Sequence, residues 1–281
     1  MAESLQNKID FAVVLRVKHA NPNGDPLNGN RPRTDYNGLG EISDVCLKRK
    51  MRDRLLETGK PIFVQSDDRK NDDAKSLRER AEKTLGKKFG SSETAAMACT
   101  TWFDVRAFGQ LFALPKKKSK SDEEGGGDGG VSIPIRGPVS VHAAFSIQPV
   151  EVTSMQITKS ASNEGDGTKR GSDTMGMKHR VEDGVYVFYG SMNPQLAERT
   201  GFTDEDAEAI KAVLPKLFEN DASSARPEGS MEVLKVFWWR HNSKAGQYSS
   251  AKVHRSLVVK LDGSYTVDRL EGLTPEEIPG F

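Results

Sequence analysis

An α+β fold interrupted by polar insertions is what this sequence predicts, on three observations. Apolar strands and two amphipathic helices follow one another as strand, helix, strand, strand, strand, helix, strand. Long polar stretches at residues 59–100, 115–135 and 151–180 break that order without replacing it. The hydrophobic fraction is 36% over 281 residues, enough for one main core with decorations. The element order is that of a ferredoxin-like (RRM-type) domain carrying large insertions.

Residues 9–18 alternate as a strand, with Phe11, Val13, Leu15 and Val17 on one face and Arg16 and Lys18 on the other. Residues 44–57 predict a helix whose buried stripe is Leu47, Met51 and Leu55, ended by Gly59 and Pro61. Residues 65–92 are highly charged, with a weak helical stripe at Leu77, Ala81 and Leu85, and predict a peripheral helical insertion. Residues 102–109 return to strand character, which puts Asp104 and Arg106 on the same side and pairs them with each other. Residues 116–130 hold a lysine cluster, an acidic trio and a glycine-rich run, too polar to order themselves, and predict a mobile surface loop.

Gly137, Pro138, Val139 and Ser140 open a strand running towards Val150. Residues 160–177 are polar and glycine-rich but bracketed by strands, the pattern of a projecting hairpin. A strand at 185–189 follows. Thr203 with Asp206 then signals the start of a helix carrying Ile210, Val213, Leu214 and Leu217, interrupted at Pro215. Residues 233–239 form a strand, and 257–267 a hairpin turning at Asp262 and Gly263. Thr274, Pro275, Glu276 and Glu277 predict a last short helical turn.

Composition narrows the function. Lys plus Arg total 41 and Asp plus Glu 40, a net charge of +1, so any nucleic-acid surface must come from local segregation of charge. Cys46 and Cys99 form no CxxC pair, which excludes a zinc ribbon and argues against a disulfide framework. No apolar run is long enough to span a bilayer, and a cytoplasmic protein without a membrane partner is expected. The five histidines (His19, His142, His179, His241, His254) show no metal-binding spacing, and no GxSxG or Walker A motif occurs. No cofactor, no metal and no catalytic residue are expected.

The candidate site begins with the turn-rich loop at residues 21–33. Asn, Gly and Pro at this density force consecutive turns, and Asn21, Asn23, Arg31 and Arg33 could grip an anion such as phosphate. The same loop also reads as a solvated connector. Five of the seven residues at 48–54 are basic, with Lys48, Arg49 and Arg52 together on one flank of the apolar stripe and Lys50 and Arg54 on the other. That flank would follow a phosphate backbone, or it snorkels around a buried stripe. Lys169, Arg170, Met175, Met177 and Lys178 lie in or beside the polar hairpin, where methionines either wedge between bases or staple the loop to the core. Asp25 and Asp35 could hold a metal ion for RNA cleavage, or form turns. Phe103, Phe237, Trp238 and Trp239 read as core.

Four motifs in order carry a family resemblance: residues 21–25, residues 102–109, Gly137 to Val139, and residues 179–186. Together they resemble the backbone subunit of type I CRISPR Cascade complexes, most closely the type I-C version, over residues 9–241. The resemblance implies an RRM-like palm (1–58, 101–150 and 181–281), helical fingers (59–100), a flexible loop (115–135) and a thumb hairpin (151–180). It implies copies stacked head to tail along a CRISPR RNA, gripping phosphates without sequence preference and kinking the guide at regular intervals. Pairing of target DNA with that guide, and contacts to cap, large and small Cascade subunits, are implied as well. Under it the RNA-binding residues are Asn21, Asn23, Arg31, Arg33, Lys48, Arg49, Arg52, Ser140, Lys169, Arg170, Met175, Met177 and Lys178, and none cleaves RNA. A metal-dependent endoribonuclease using Asp25 or Asp35 is the alternative.

Overall fold

The structure, a computed structural model, describes residues 3–114, 131–158 and 175–281. The segment expected to be a mobile loop at 116–130, and residues 160–174 of the expected projecting hairpin, Lys169 and Arg170 among them, lie outside the described residues. The first part of the chain runs β1 (Ile9–Ala20), β2 (Gly24–Asp25), β3 (Arg31–Pro32), β4 (Leu39–Ile42), α1 (Asp44–Glu57), α2 (Leu77–Leu85), α3 (Thr94–Thr101) and α4 (Phe103–Phe108). It continues with β5 (Gly109–Leu114), β6 (Val131–Arg136), β7 (Val139–Val141), β8 (Ala144–Pro149), β9 (Val152–Thr158) and β10 (Met175–Met192). Then come α5 (Pro194–Thr200), α6 (Asp204–Val213), β11 (Met231–Arg240), α7 (Ser250–Arg255), β12 (Leu257–Val259), β13 (Tyr265–Val267) and β14 (Glu276–Pro279).

A large antiparallel sheet organises this mixed α/β chain, in the order β14-β11-β1-β10-β8-β4, with β7 and β9 also paired to β10. On one face Phe11, Val13, Leu15 and Val17 meet Leu47, Met51 and Leu55 of α1 and Ala207, Ile210 and Val213 of α6. On the other, Ala12, Val14, Phe237 and Trp239 are covered by Val253, Leu257 and Leu273 from the C-terminal part of the chain. Burial on both faces explains why β1 is apolar at six of the seven positions Ile9–Leu15 rather than at alternate ones. Phe63, Leu85, Cys99, Trp102 and Phe112 form a separate cluster under α2 and α3.

Helix α1 starts on the Ser43 cap, whose hydroxyl accepts from Cys46 N, and buries the predicted stripe. Thr203 and Asp206 make a reciprocal capping box for α6, and Pro215 sits in a 3-10 turn where that helix stops. The hairpin β12–β13 turns at Gly263, where φ is +86°. Burial pushes the Cys99 thiol up to about 11, so it stays an inert core group.

Three expectations are corrected. Residues 102–109 are not a strand but the helix α4 entering β5. Phe103 and Ala107, four apart, face the main core while Trp102 and Val105 face the second cluster, and a short helix wedged between two cores imitates strand alternation. Asp104 and Arg106 do not pair: Asp104 accepts from Arg52 Nε at 2.9 Å, and Arg106 grips Asp206 with two bonds of 2.8 Å. The expected helical turn at 274–277 is instead occupied in part by β14, an edge strand that satisfies the outer backbone groups of β11.

Two glycines of the resembling motifs have a steric reason. Gly109 sits at φ +83°, and a Cβ there would lie 2.3 Å from Ile135 O. A Cβ on Gly137 would lie 2.3 Å from Ala107 O and 2.5 Å from Gly109 N. The chain ends of β5 and β6 therefore touch backbone to backbone. Gly109→Ala should cost about 2–3 kcal/mol in denaturant titration, from backbone strain plus the clash; a neutral substitution would mean the crossing is looser than described.

Candidate nucleic-acid interface

Strand β1 delivers the chain at Ala20 into the turn-rich loop, which is tightly built. Gly24–Asp25 and Arg31–Pro32 pair as a two-residue ladder. Gly29 and Asn30 take left-handed conformations (φ +57° and +60°), and a Cβ on Gly24 would collide with the Asn30 side chain. Asn23 Oδ1 accepts from Ser43 N (2.9 Å) and Ser43 Oγ (2.8 Å), which bolts the loop to the start of α1. Asn21 Nδ2 donates to Asn30 O at 2.7 Å. The two carboxylates weighed for metal chemistry are engaged in turns. Asp25 accepts from Leu27 N, and Asp35 accepts from Asn37 N and Leu39 N at 2.8 Å each. Among the described residues no group of three His, Cys, Asp or Glu side chains is placed to hold a metal ion.

The long β10 supplies the opposite wall. Its second half pairs with β1, while Met175 to Val181 leave the core sheet and pair with β9 as a hairpin. Arg31 Nη1 donates to Ser154 Oγ at 2.8 Å, and His179 Nδ1 lies 2.9 Å from the same oxygen, so the hairpin base is tied to the loop. Between them runs an open groove of about 220 Å³, bounded by Asn21, Gly29 and Asn30, by Ile157, Met177, Lys178 and His179, and by Ser224 and Ala225. Met175 and Met177 share one face of β10 and are 64% and 57% exposed, so neither staples the hairpin to the core. Arg31 and Lys178 have no carboxylate within 4.0 Å among the described residues.

The basic helix divides differently from the sequence expectation. Lys50 is buried against Asp221, and Arg54 is buried with Glu57 at 2.6 Å. Burial pushes the Lys50 ammonium down; at Asp221 burial acts upward but is outweighed by Lys50 and Arg226, leaving its carboxyl below the ordinary range. Arg52, expected on the phosphate flank, is 13% exposed and held by Asp104, which also accepts from Phe63 N and Val64 N. Its charge fastens α1 to α4 and to the chain leaving α1. Lys48 lies 3.0 Å from Asp44, and Arg49, 46% exposed, lies 3.6 Å from Asp53. Arg49 remains at the surface and Lys48 is half-buried.

Arg33 Nη2 stands 3.7 Å from Asp25. Ser140 is not brought to the groove. It pairs with Ser191, which faces Asp10, whereas the loop leaves β1 after Ala20; ten strand residues separate the two by roughly 30 Å. The structure thus gathers Asn21, Met177 and Lys178 around one groove, with Asn23 fixing the loop wall and Arg31 tying that loop to the hairpin base. Ile157, Asn30, His179 and Ala225 were missed. Asn30 lies in the loop, Ile157 in the hairpin and His179 in the 179–186 motif, but Ala225 carried no sequence signal, because the contact that brings it to the loop spans about 200 residues.

A family model described as CRISPR-associated protein Cas7 matches residues 7–273. Over 276 residues the chain is 27% identical to a CRISPR-associated protein Cas7 of Haloferax volcanii, covering 92% of this chain and 77% of that one. It is also similar to a chain of a CRISPR RNA-guided surveillance complex in a pre-nicking form, at 15% identity, 83% and 78% coverage of this and that chain, and TM-score 0.46. A second CRISPR RNA-guided surveillance complex chain aligns at 17% identity, 92% and 77% coverage, and TM-score 0.45.

Proposed function

We propose a function from one premise: the chain belongs to the Cas7 family of CRISPR-associated proteins. It acts as the RNA-binding backbone subunit of a CRISPR RNA-guided surveillance complex. Copies stack head to tail along the guide RNA, grip its phosphates without reading bases, kink it at regular intervals, and leave its pairing edges for target DNA. Cap, large and small subunits complete the complex in the cytoplasm. The motifs at residues 21–25, 102–109, 137–139 and 179–186 favour the type I-C version. For the ferredoxin-like palm, the support is strand order. Counted along the chain, β1, β8, β10 and β11 lie in the sheet as fourth, first, third, second, with α1 after the first and α6 after the third. Residues 59–100 serve as fingers and 151–180 as the thumb.

The observation that carries the reading is the pair of exposed methionines on a hairpin anchored through Arg31 and Ser154 to a loop made rigid by its own turns. An apolar, flexible side chain held at a groove lined by Asn21, Asn30 and Lys178 suits unstacking of bases rather than folding. A near-zero net charge suits a protomer that must stack on copies of itself, since a wholly basic surface would repel its neighbour. The endoribonuclease alternative has no observation in its favour, because Asp25 and Asp35 are spent on turns.

Protein purified with its operon partners should carry RNA, seen as a high ratio of absorbance at 260 nm over 280 nm that falls after nuclease treatment. Labelled RNA incubated with that assembly and magnesium or manganese should stay intact. Cleavage lost in Asp25→Asn or Asp35→Asn would replace this reading with the enzyme.

A further inference from the structure

One buried acceptor at the groove has no donor among the described residues. Asn21 is 4% exposed; its main-chain N–H donates to Ala225 O at 2.9 Å, and its Nδ2 donates to Asn30 O at 2.7 Å. That second bond fixes which way the side-chain amide faces. Its Oδ1 is buried and, among the described residues, has no hydrogen-bond donor, although Asn21 lines the groove. A buried acceptor of this kind is costly to leave bare, so a ligand that brings a donor gains from it.

Nucleic acid offers few donors to a protein that ignores base identity. Phosphate oxygens only accept. Base donors differ from one base to the next, and those on the pairing edge must stay free for a complementary strand. The one donor present on every ribonucleotide, whatever its base, is the 2′-hydroxyl, and DNA lacks it. Resting on the RNA-binding reading above, we propose that Asn21 Oδ1 accepts the 2′-hydroxyl of a ribonucleotide seated in this groove, so that the groove selects RNA over DNA. Lys178 lines the same groove and supplies a cation for a phosphate there, and Met177 and Ile157 give the sugar an apolar wall.

The test uses the full-length protein and three labelled single strands of one sequence: ribo, 2′-deoxy and 2′-fluoro. The 2′-fluoro strand keeps the ribose-like pucker but has no donor. Fluorescence anisotropy at fixed salt should find the ribo strand bound about tenfold or more tighter than either of the others. In Asn21→Ala the ribo-over-deoxy preference should shrink to about twofold. Wild-type protein that binds all three strands alike overturns the 2′-hydroxyl assignment and leaves RNA binding standing. Absence of binding to all three overturns both. Equal weakening of ribo and deoxy binding in Asn21→Ala would make Asn21 structural and also overturn the assignment; the wild-type comparison needs no variant to fold.

Discussion

Asp104→Ala is expected to destabilise the protein by about 3–5 kcal/mol, the size typical of removing one partner from a buried ion pair. Asp104 is 1% exposed and ties α4 to two other parts of the chain, through Arg52 of α1 at 2.9 Å and through Phe63 N at 2.6 Å and Val64 N at 3.1 Å. Alanine would leave a guanidinium without its counter-charge and two backbone N–H groups without an acceptor. Urea denaturation measures the loss. Adding Arg52→Met should recover part of it, since the double variant no longer buries an unpaired charge. A loss under about 1 kcal/mol, or no recovery in the double variant, would mean that water already shares this pair. The prediction also changes how RNA binding must be probed. A substitution at Arg52 confounds folding with contact to the guide.

The surface cations give the second large effect. Replacing Lys48, Arg49 and Lys178 together by alanine, with Arg52 untouched, should weaken binding of single-stranded RNA about 100-fold at 0.1 M salt. Each lost phosphate contact on a single strand removes about 0.7 from the slope of log affinity against log salt, so the slope should fall by about 2. Lys48 and Arg49 lie on the first turns of α1, and Lys178 lines the groove. Anisotropy titrations across a salt series read both quantities, with circular dichroism as the control for folding. An unchanged slope would remove these residues from the path of the RNA.

Strong local signals in the sequence translated directly into structure. The period of Leu47, Met51 and Leu55 predicted α1 over its observed span, and the Thr203–Asp206 box marked the start of α6. Asp262 and Gly263 marked a real hairpin. In each case the deciding interactions lie within a few residues. The segment 102–109 failed for the opposite reason. Its apolar residues serve two different cores, so no single period describes it. The last strand failed because Glu276 and Glu277 pair with Trp238 and Phe237, a partnership invisible from a local helix-start pattern.

By itself, then, the sequence determined a sheet with helices packed on it, a turn-locked loop after the first strand, a polar hairpin and the motifs that point to its family. Which cations remain available was decided only by the tertiary structure. Arg52 and Lys50 sit two residues apart on one basic helix, yet their fates depend on Asp104 and Asp221, carried by distant segments. Spacing along a chain reports backbone periodicity. The neutralisation of a charge, or an acceptor such as Asn21 Oδ1 left bare, depends on which groups folding brings within about 3 Å from far along the chain.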